Sequence, residues 1–215
     1  MGAEAKLLKS GDANKAVETL FSHYKKVKYY LDFDGPLQLM VAAILSAQTR
    51  DETVNKITPA LFTKYKSAKD FSKASESDLI KYIKSVSYAG NKALNIIAAC
   101  KEIVERYGGE VPSNMESLVA LPGVGRKTAN TILINGFGKV EGIPVDTWVM
   151  KLSYRIGLSL AKSPDAVERD LMEKLDRKHW SKVAYLLKEH GKELCGKKPL
   201  CEKCPIAGIC PKNGV

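Results

Sequence analysis

Two ionisable side chains follow turn-forming residues, and their types suit covalent chemistry. Lys127 follows a Pro-Gly-x-Gly turn, and Asp146 follows the segment 143–145. Each is expected at a helix N-terminus, where the positive helix end and the neighbouring Arg126 disfavour the charged form of Lys127. A lysine with a lowered pKa is a nucleophile that forms Schiff bases. Asp146 also suits a helix N-cap, which is the more common role of an aspartate at such a position.

The ten residues 121–130, with the sequence LPGVGRKTAN, predict a helix-hairpin-helix. Asn114 is expected to cap a short helix over 115–120, which Pro122 ends. A second helix is expected from 126 to about 136. An ordinary corner between two helices is the alternative, because glycines are common in such turns.

The turn of this hairpin is expected to bind a phosphate group. Gly123 and Gly125 permit positive φ angles and the close approach of another backbone. Their amides and the N-terminus of the second helix form an anion site that suits the DNA backbone. The residues predicted to contact DNA there are Pro122, Gly123, Val124, Gly125, Arg126 and Thr128.

Four of the five cysteines fall within sixteen residues near the C-terminus and predict a metal centre. Spacers of five, two and five residues separate Cys195, Cys201, Cys204 and Cys210. Disulfide bonds are not expected, because the chain shows no secretory signal segment. A four-cysteine zinc site and a [4Fe-4S] cluster both fit this spacing. The fifth cysteine, Cys100, lies in an apolar predicted helix and is expected to be a core thiol.

The composition favours a polyanionic partner and argues against a membrane protein. A formal net charge of +10 in 215 residues favours nucleic acid, although a solvated lysine-rich surface would give the same charge. No apolar run approaches the roughly 18 residues that a membrane helix requires. We therefore expect a monomer without membrane contact, in the cytoplasm and associated with the nucleoid.

The spacing of apolar residues predicts an all-α chain of about ten helices, since no segment alternates like a strand. The helix over 37–47 is apolar nearly all round and is expected to be central. The predicted helices cover 14–31, 37–47, a segment from 51 that Pro59 interrupts or restarts, 79–83, 90–107, 115–120, 126–136, 146–156, a segment after Ser163, and 180–194.

These motifs together resemble the endonuclease III family of helix-hairpin-helix DNA glycosylases and AP lyases. LPGVGRKTAN followed by Val-Asp-Thr carries the resemblance, which covers nearly the whole chain after about residue 15. It implies a two-lobed all-α fold with the active site in the cleft between the lobes. A six-helix barrel with the hairpin would span 30–139. Residues 1–29 and 140–215 would form the second lobe, which carries the iron–sulfur cluster.

The resemblance implies a bifunctional enzyme of base excision repair that acts on double-stranded DNA with oxidised pyrimidines or abasic sites. Lys127 would attack C1′ of the damaged nucleotide, and Asp146 would stabilise the positive sugar or help to deprotonate the amine. The imine formed with Lys127 would then permit β-elimination of the 3′ phosphate. The four cysteines would hold a [4Fe-4S] cluster with a structural and DNA-docking role.

The resemblance also implies which residues support the opened duplex after a base is flipped out. Gln48 would fill the gap left by the flipped base, Tyr88 would act as the wedge, and Lys92 would contact DNA. The chain departs from the family in having Tyr88 where leucine is usual and Trp148 where histidine is usual. Its first cysteine spacer has five residues, where six are usual. Trp148 either reshapes the substrate pocket or is a core aromatic.

Two other functions fit parts of the sequence. One is a different glycosylase of the superfamily, specific for an adenine or a thymine/uracil mismatch. The adenine enzymes have a catalytic glutamate on the helix where this chain has Leu-Ser-Ala-Gln at 45–48, and the mismatch enzymes usually lack the hairpin lysine. The other is a non-catalytic DNA-binding module with a metal knuckle. Pure binding needs neither Lys127 nor Asp146, so the presence of both favours the enzyme.

Overall fold

The structure, a computed structural model, describes residues 4–215, and the regular elements of that part of the chain are all helical. The predicted all-α fold is therefore confirmed. None of the helices in these residues is both long and apolar enough to cross a membrane. The α-helices are α1 (Ser10–His23), α2 (Gly35–Ser46), α3 (Asp51–Lys64), α4 (Ala68–Ser72), α5 (Glu76–Ile83), α6 (Ala89–Arg106), α7 (Met115–Ala120), α8 (Arg126–Phe137), α9 (Thr147–Ile156), α10 (Pro164–Lys174) and α11 (Arg177–Glu193), and one 3₁₀ helix, η1, covers Cys201–Lys203.

The chain divides into two compact units. The central unit is the continuous segment Tyr30–Glu141, which contains α2 to α8. The terminal unit combines the described residues up to Tyr29 with Gly142–Val215, and it contains α1, α9, α10, α11 and η1. The hairpin therefore lies in the central unit, and the cysteines lie in the terminal unit.

The central unit is built around α2. Seven consecutive residues of this helix, 39–45, are buried, as expected for the helix predicted to be central. It packs on α3, α6 and α8, while α4 and α5 pack on α6, and α7 packs on α8. The middle of α8 is buried from Ala129 to Leu133. This packing fixes the direction of α8, whose first turn carries Lys127.

The terminal unit joins the two ends of the described chain. Within it, α9 packs on α10 and α11, and α1 packs on the same two helices. The side-chain Nδ2 of Asn213 donates to the carbonyl oxygens of Lys6 and Tyr154, at 2.8 Å each. Gly157 has a φ of +75°, and a Cβ added there would lie 2.6 Å from the carbonyl oxygen of Lys6. The segment before α1 is thereby bound to the C-terminal loop that follows the cysteines.

The first helix differs from its predicted bounds. It covers Ser10–His23 and not 14–31. At Tyr24 the backbone leaves the helical region, with φ −97° and ψ 79°. The Tyr24 ring packs edge-on against His190 of α11, with centroids 5.9 Å apart. This tertiary contact takes the tyrosine away from the helix face that apolar spacing alone had indicated.

Two further differences concern α3 and α4. Pro59 lies inside α3 without ending it, although an internal proline removes a hydrogen bond and strains a helix. The helix buries Val54, Thr58 and Leu61, so its packing outweighs that penalty. α4 was not predicted, because it has only five residues. A capping box between Ser67 and Asp70 begins it.

Trp148 is a packing residue between α9 and α11 in the terminal unit. Its half-buried ring lies against Gly191 of α11. A Cβ added to Gly191 would lie 2.4 Å from Cε3 and 2.7 Å from Cζ3 of the indole. Nζ of Lys151 lies 5.4 Å from the ring centroid. Trp148 therefore requires a glycine at position 191.

Gly191→Ala is expected to destabilise the protein, because the indole is too bulky and rigid to yield to the new methyl group. Overpacking of this kind costs roughly 1–3 kcal/mol, which exceeds the gain of up to about 1 kcal/mol for alanine over glycine in a helix. Thermal or urea unfolding measures the change. Gly11→Ala in α1 is the control, because nothing lies within 4 Å of the added Cβ. Equal stability of the two variants would contradict the packing described for Trp148.

Candidate functional site

The helix-hairpin-helix predicted around residues 121–130 is present. The side chain of Asn114 accepts a hydrogen bond from the amide of Ser117 at 2.9 Å, which confirms it as the cap of α7. α7 ends before Leu121, and the carbonyl of Leu121 accepts from the amide of Val124 at 3.1 Å, which closes the turn. Leu121 and Val124 are only 3% and 4% exposed, so the core anchors the turn.

The two glycines of the turn have different roles. Gly123 has a φ of +78°, as predicted, and a Cβ added there would lie 2.9 Å from Cβ of Asn95. Gly125 has a φ of −88° and lies in the extended region, so the prediction of a positive φ at this position is wrong. It is the N-cap of α8, where extended backbone is normal, and its carbonyl accepts from the amide of Ala129 at 2.9 Å.

Lys127 is the second residue of α8, and its side chain is exposed. The first amides of a helix have no acceptor within that helix, so this end of α8 favours anions. The hairpin therefore presents an amine and an anion-binding helix end on the same exposed turn. Of the predicted DNA contacts here, Gly123, Gly125 and Arg126 are exposed, Pro122 and Thr128 are half-buried, and Val124 is buried.

Asp146 is the N-cap of α9, as predicted. Its Oδ1 accepts from the amides of Trp148 and Val149, at 2.9 Å each. The preceding segment 142–145 is buried, and the amide of Ile143 donates to Oε1 of Glu168 at 3.2 Å. The half-buried carboxylate thus stands at the end of a fixed segment, and both of its side-chain hydrogen bonds in the described chain use the same oxygen.

The four clustered cysteines line one cavity of the terminal unit. Cys195, Cys201, Cys204 and Cys210 all border this cavity, which is partly open to solvent. Burial raises the pKa of the Cys204 and Cys210 thiols, and the neighbouring thiols raise both further. A cation would reverse this effect, because thiolates are the metal-binding form of cysteine. Cys100 is buried elsewhere, in α6, as expected for a core thiol.

Gln48 and Tyr88 lie on two exposed turns of the central unit and share an unusual backbone conformation. Gln48 has a φ of +53°, and Tyr88 has a φ of +58°. Left-handed backbone is uncommon for residues other than glycine, and it persists where surrounding structure enforces it. Tyr88 is 65% exposed and is the N-cap of α6, while Gln48 follows the end of α2.

Known proteins are similar to this chain in both sequence and fold. The profile of the HhH-GPD superfamily of base excision DNA repair proteins matches residues 41–177. Endonuclease III of Synechocystis sp. is 46% identical over 165 residues, which are 77% of this chain and 75% of that protein. Endonuclease III of Bacillus subtilis is 44% identical over 75% of this chain and 74% of its own length. The chain belongs to the endonuclease III family.

Solved structures agree with this assignment to the endonuclease III family. The structure of a trapped covalent intermediate of endonuclease III with DNA matches with a TM-score of 0.90 at 33% identity, over 96% of this chain and 97% of the other. A thermostable thymine-DNA glycosylase matches with a TM-score of 0.84 at 24% identity over 94% of this chain and 96% of the other. The second match supports the fold alone.

One predicted DNA contact of this endonuclease III family member has an unexpected position. Lys92 is only 6% exposed, and its ammonium donates to the carbonyl oxygens of Leu45 and Ala47 at 2.7 and 2.6 Å and to Oγ1 of Thr49 at 3.0 Å. Burial lowers the pKa of Lys92. Because the ammonium is directed to protein oxygens, its burial argues against the direct DNA contact predicted for it.

The cysteine cavity has polar neighbours that sequence reasoning missed. His190 is only 1% exposed, with Nε2 at 3.7 Å from Sγ of Cys204 and Nδ1 at 3.1 Å from the hydroxyl of Tyr24. Burial lowers the pKa of His190 to about 4, so the ring is neutral. Nη1 of Arg155 donates to the carbonyl of Cys195 at 2.9 Å and lies 3.6 Å from its Sγ. In the sequence, the one indication that His190 lies beside the cysteines is its position five residues before Cys195.

Proposed function

We propose that the chain is a bifunctional DNA glycosylase and AP lyase that removes oxidised pyrimidines from double-stranded DNA in base excision repair. The exposed amine of Lys127 at the hairpin carries the proposal. Its relatives are named endonuclease III, and one solved relative is covalently joined to DNA. A covalent enzyme–DNA intermediate requires a nucleophile on the protein surface, and a lysine is the nucleophile that also supports lyase chemistry.

The chemistry follows from an amine acting on a sugar carbon. After the damaged nucleotide is flipped out of the stack, Nζ of Lys127 forms a bond to C1′ while the glycosidic bond breaks. The bonding electron pair leaves with the base, which takes up a proton. Opening of the sugar ring converts the adduct to an imine. Loss of a proton from C2′ then expels the 3′ phosphate, and hydrolysis of the imine returns Lys127 to its starting state.

Asp146 contributes charge at the same step. The reaction passes through a positively charged sugar, which a carboxylate stabilises more than it stabilises the neutral substrate. Because Oδ1 already accepts two backbone amides, the carboxylate has a fixed orientation. Among the described residues Oδ2 accepts no hydrogen bond, so this oxygen is available to the positive charge that develops on the sugar.

The hairpin and the two left-handed turns hold the DNA. The amides at the start of α8 and the exposed Arg126 suit a backbone phosphate, and the net charge of +10 favours association with duplex DNA. Exposed Gln48 occupies the gap left by the flipped base. Tyr88 stacks on the opened strand, which an aromatic ring can do with any base.

The four cysteines hold a [4Fe-4S] cluster that supports the fold of the terminal unit and its loops. All four donors are thiols, a set that suits zinc or iron–sulfur centres. All four thiols border the same cavity of the terminal unit, so the whole set can hold one centre. The donor set fits either centre, and the similarity to endonuclease III, a family whose members generally carry a [4Fe-4S] cluster, favours the cluster.

The purified protein is expected to be brown, with broad absorbance near roughly 400 nm from thiolate-to-iron charge transfer. Iron and acid-labile sulfide should each approach four per chain. Cys204→Ser is expected to lose the colour, while Cys100→Ser should keep it because Cys100 lies outside the cavity. A colourless protein with one zinc ion per chain would refute the assignment.

Borohydride trapping on a panel of duplexes tests the proposed function. Matched oligonucleotides would carry an oxidised pyrimidine, an oxidised guanine, an abasic site or no damage at one position. Covalent adducts are expected with the oxidised pyrimidine and the abasic site, because both lead to the same imine with Lys127. Base release without a trapped adduct would indicate a monofunctional glycosylase, and binding without base release or adduct would indicate a DNA-binding module.

A further inference from the structure

Hydrogen bonds join the two exposed turns that carry Gln48 and Tyr88. The amide of Ser87 donates to Oγ1 of Thr49 at 3.1 Å, and the hydroxyl of Ser87 donates to the carbonyl of Gln48 at 2.9 Å. The partners lie 38 and 39 residues apart in the chain. Ser87, the residue before Tyr88, is therefore hydrogen-bonded both to Gln48 and to the residue that follows it.

Lys92 ties the same turns from inside the central unit. All three donors of its ammonium are used, on the carbonyls of Leu45 and Ala47 and on Oγ1 of Thr49. Its own amide donates to the carbonyl of Tyr88 at 3.1 Å. One residue thus holds the end of α2 on one side and the beginning of α6 on the other.

The acceptors of Lys92 are neutral, so no negative charge offsets the free energy of burying its ammonium. Stability alone therefore does not explain a lysine at this position. Burying a charged group is unfavourable even when it is hydrogen-bonded, and an apolar side chain of similar volume often packs as well. The ammonium supplies directed bonds that an apolar side chain lacks. Those bonds converge on the carbonyls that precede Gln48, in a turn whose backbone is disfavoured for a glutamine.

We infer that Lys92, Thr49 and Ser87 form a clamp that holds Gln48 and Tyr88 in one fixed register, so that both enter the opened duplex together. The inference rests on the proposed function and adds positioning residues to it. Preorganised groups need no reordering when the base leaves the stack, which lowers the barrier to that step. The clamp therefore acts on base flipping and leaves the chemistry of Lys127 unchanged.

Two substrates, of which only one requires base flipping, distinguish a role of the clamp in flipping from a general loss of activity. A stacked oxidised pyrimidine in a duplex must be flipped and its gap filled, whereas an abasic site in a single strand requires neither. Thr49→Val removes Oγ1 with little change in shape, and Lys92→Met removes the ammonium with a similar length. Single-turnover excision from the duplex is expected to fall about tenfold or more. Borohydride trapping on the single-stranded abasic site should change less than about twofold.

Matched variants control for loss of stability and of charge. Thr49→Ser retains a hydroxyl and should restore duplex excision. Thr63→Val makes the same change in α3, and Lys101→Met makes the same change on the exposed side of α6, and both should leave duplex excision at the wild-type rate. A 2-aminopurine placed opposite the lesion should show less unstacking with Thr49→Val than with the wild type.

The outcomes are distinct. If Thr49→Val loses both activities equally, or if neither activity changes, the clamp does not act on flipping and the inference is wrong. If Lys92→Met fails to fold, Thr49→Val and Thr49→Ser still decide the question. A wild-type protein without excision or trapping would instead refute the proposed function, whatever the variants do.

Discussion

Replacing Lys127 by glutamine is expected to abolish covalent trapping by borohydride on every substrate. An amide nitrogen does not attack C1′ and cannot form an imine, so the lyase reaction disappears with the adduct. Base excision should fall by at least about 10³-fold, because without the nucleophile the whole covalent pathway to base release is lost. Binding to duplex DNA should persist, since the backbone amides of the hairpin are unchanged. Gel analysis of trapped complexes and single-turnover kinetics measure these effects.

Arg126→Gln is the matched control for Lys127→Gln. It removes one positive charge from the adjacent residue of the same exposed turn and leaves the amine in place. Trapping should therefore be retained, with weaker affinity from the lost phosphate contact. Undiminished trapping by the Lys127 variant would show that another amine forms the adduct.

Local sequence was enough to predict the hairpin. Asn114, Pro122 and Gly123 each act on the backbone within a few residues, so their effects are visible without the rest of the fold. The same local reasoning failed at Gly125. A glycine at this position can either continue a left-handed turn or cap the next helix, depending on the residue at which that helix begins. The start of α8 at Arg126 makes Gly125 the cap, and the sequence does not fix that start to within one residue.

Long-range contacts could not be predicted from the sequence. Lys92 lies 47 residues from Leu45 and 43 from Thr49, and an isolated lysine near a helix start gives no sign of burial. The positive φ angles of Gln48 and Tyr88 have the same origin, because tertiary bonds and not residue type enforce them. The end of α1 was missed for a related reason, since the ring of Tyr24 is held by His190 of a distant helix.

The grouping of the four cysteines around one cavity was predictable from the sequence, and the other residues beside that cavity were not. Four thiols at short spacing predict a shared site, whereas Arg155 lies 40 residues before the cysteine whose carbonyl it contacts. Similarly, Glu168 holds the segment before Asp146 from 25 residues away. Helix packing brings such residues together, and that packing follows from many weak preferences spread over the unit.

Replacing Asp146 by asparagine is expected to impair chemistry far more than binding or stability. Both capping bonds go to Oδ1, so the amide oxygen of asparagine can accept the same two hydrogen bonds while the negative charge is lost. The free energy of unfolding should therefore change little. Excision should fall about 10²–10³-fold, which corresponds to about 2.7–4 kcal/mol of lost charge stabilisation. Affinity for an abasic duplex should stay the same or rise, since a carboxylate repels the phosphates.

Asp176→Asn is the matched control for the change at Asp146. It also removes a carboxylate from a helix N-cap in the terminal unit, yet Asp176 makes no capping bond. This variant should keep the wild-type excision rate, which separates a specific effect at Asp146 from a general loss of negative charge. Wild-type excision by Asp146→Asn would mean that Asp146 only caps α9. The charge that stabilises the sugar cation would then have to come from another residue, and Lys127 would act without a carboxylate partner.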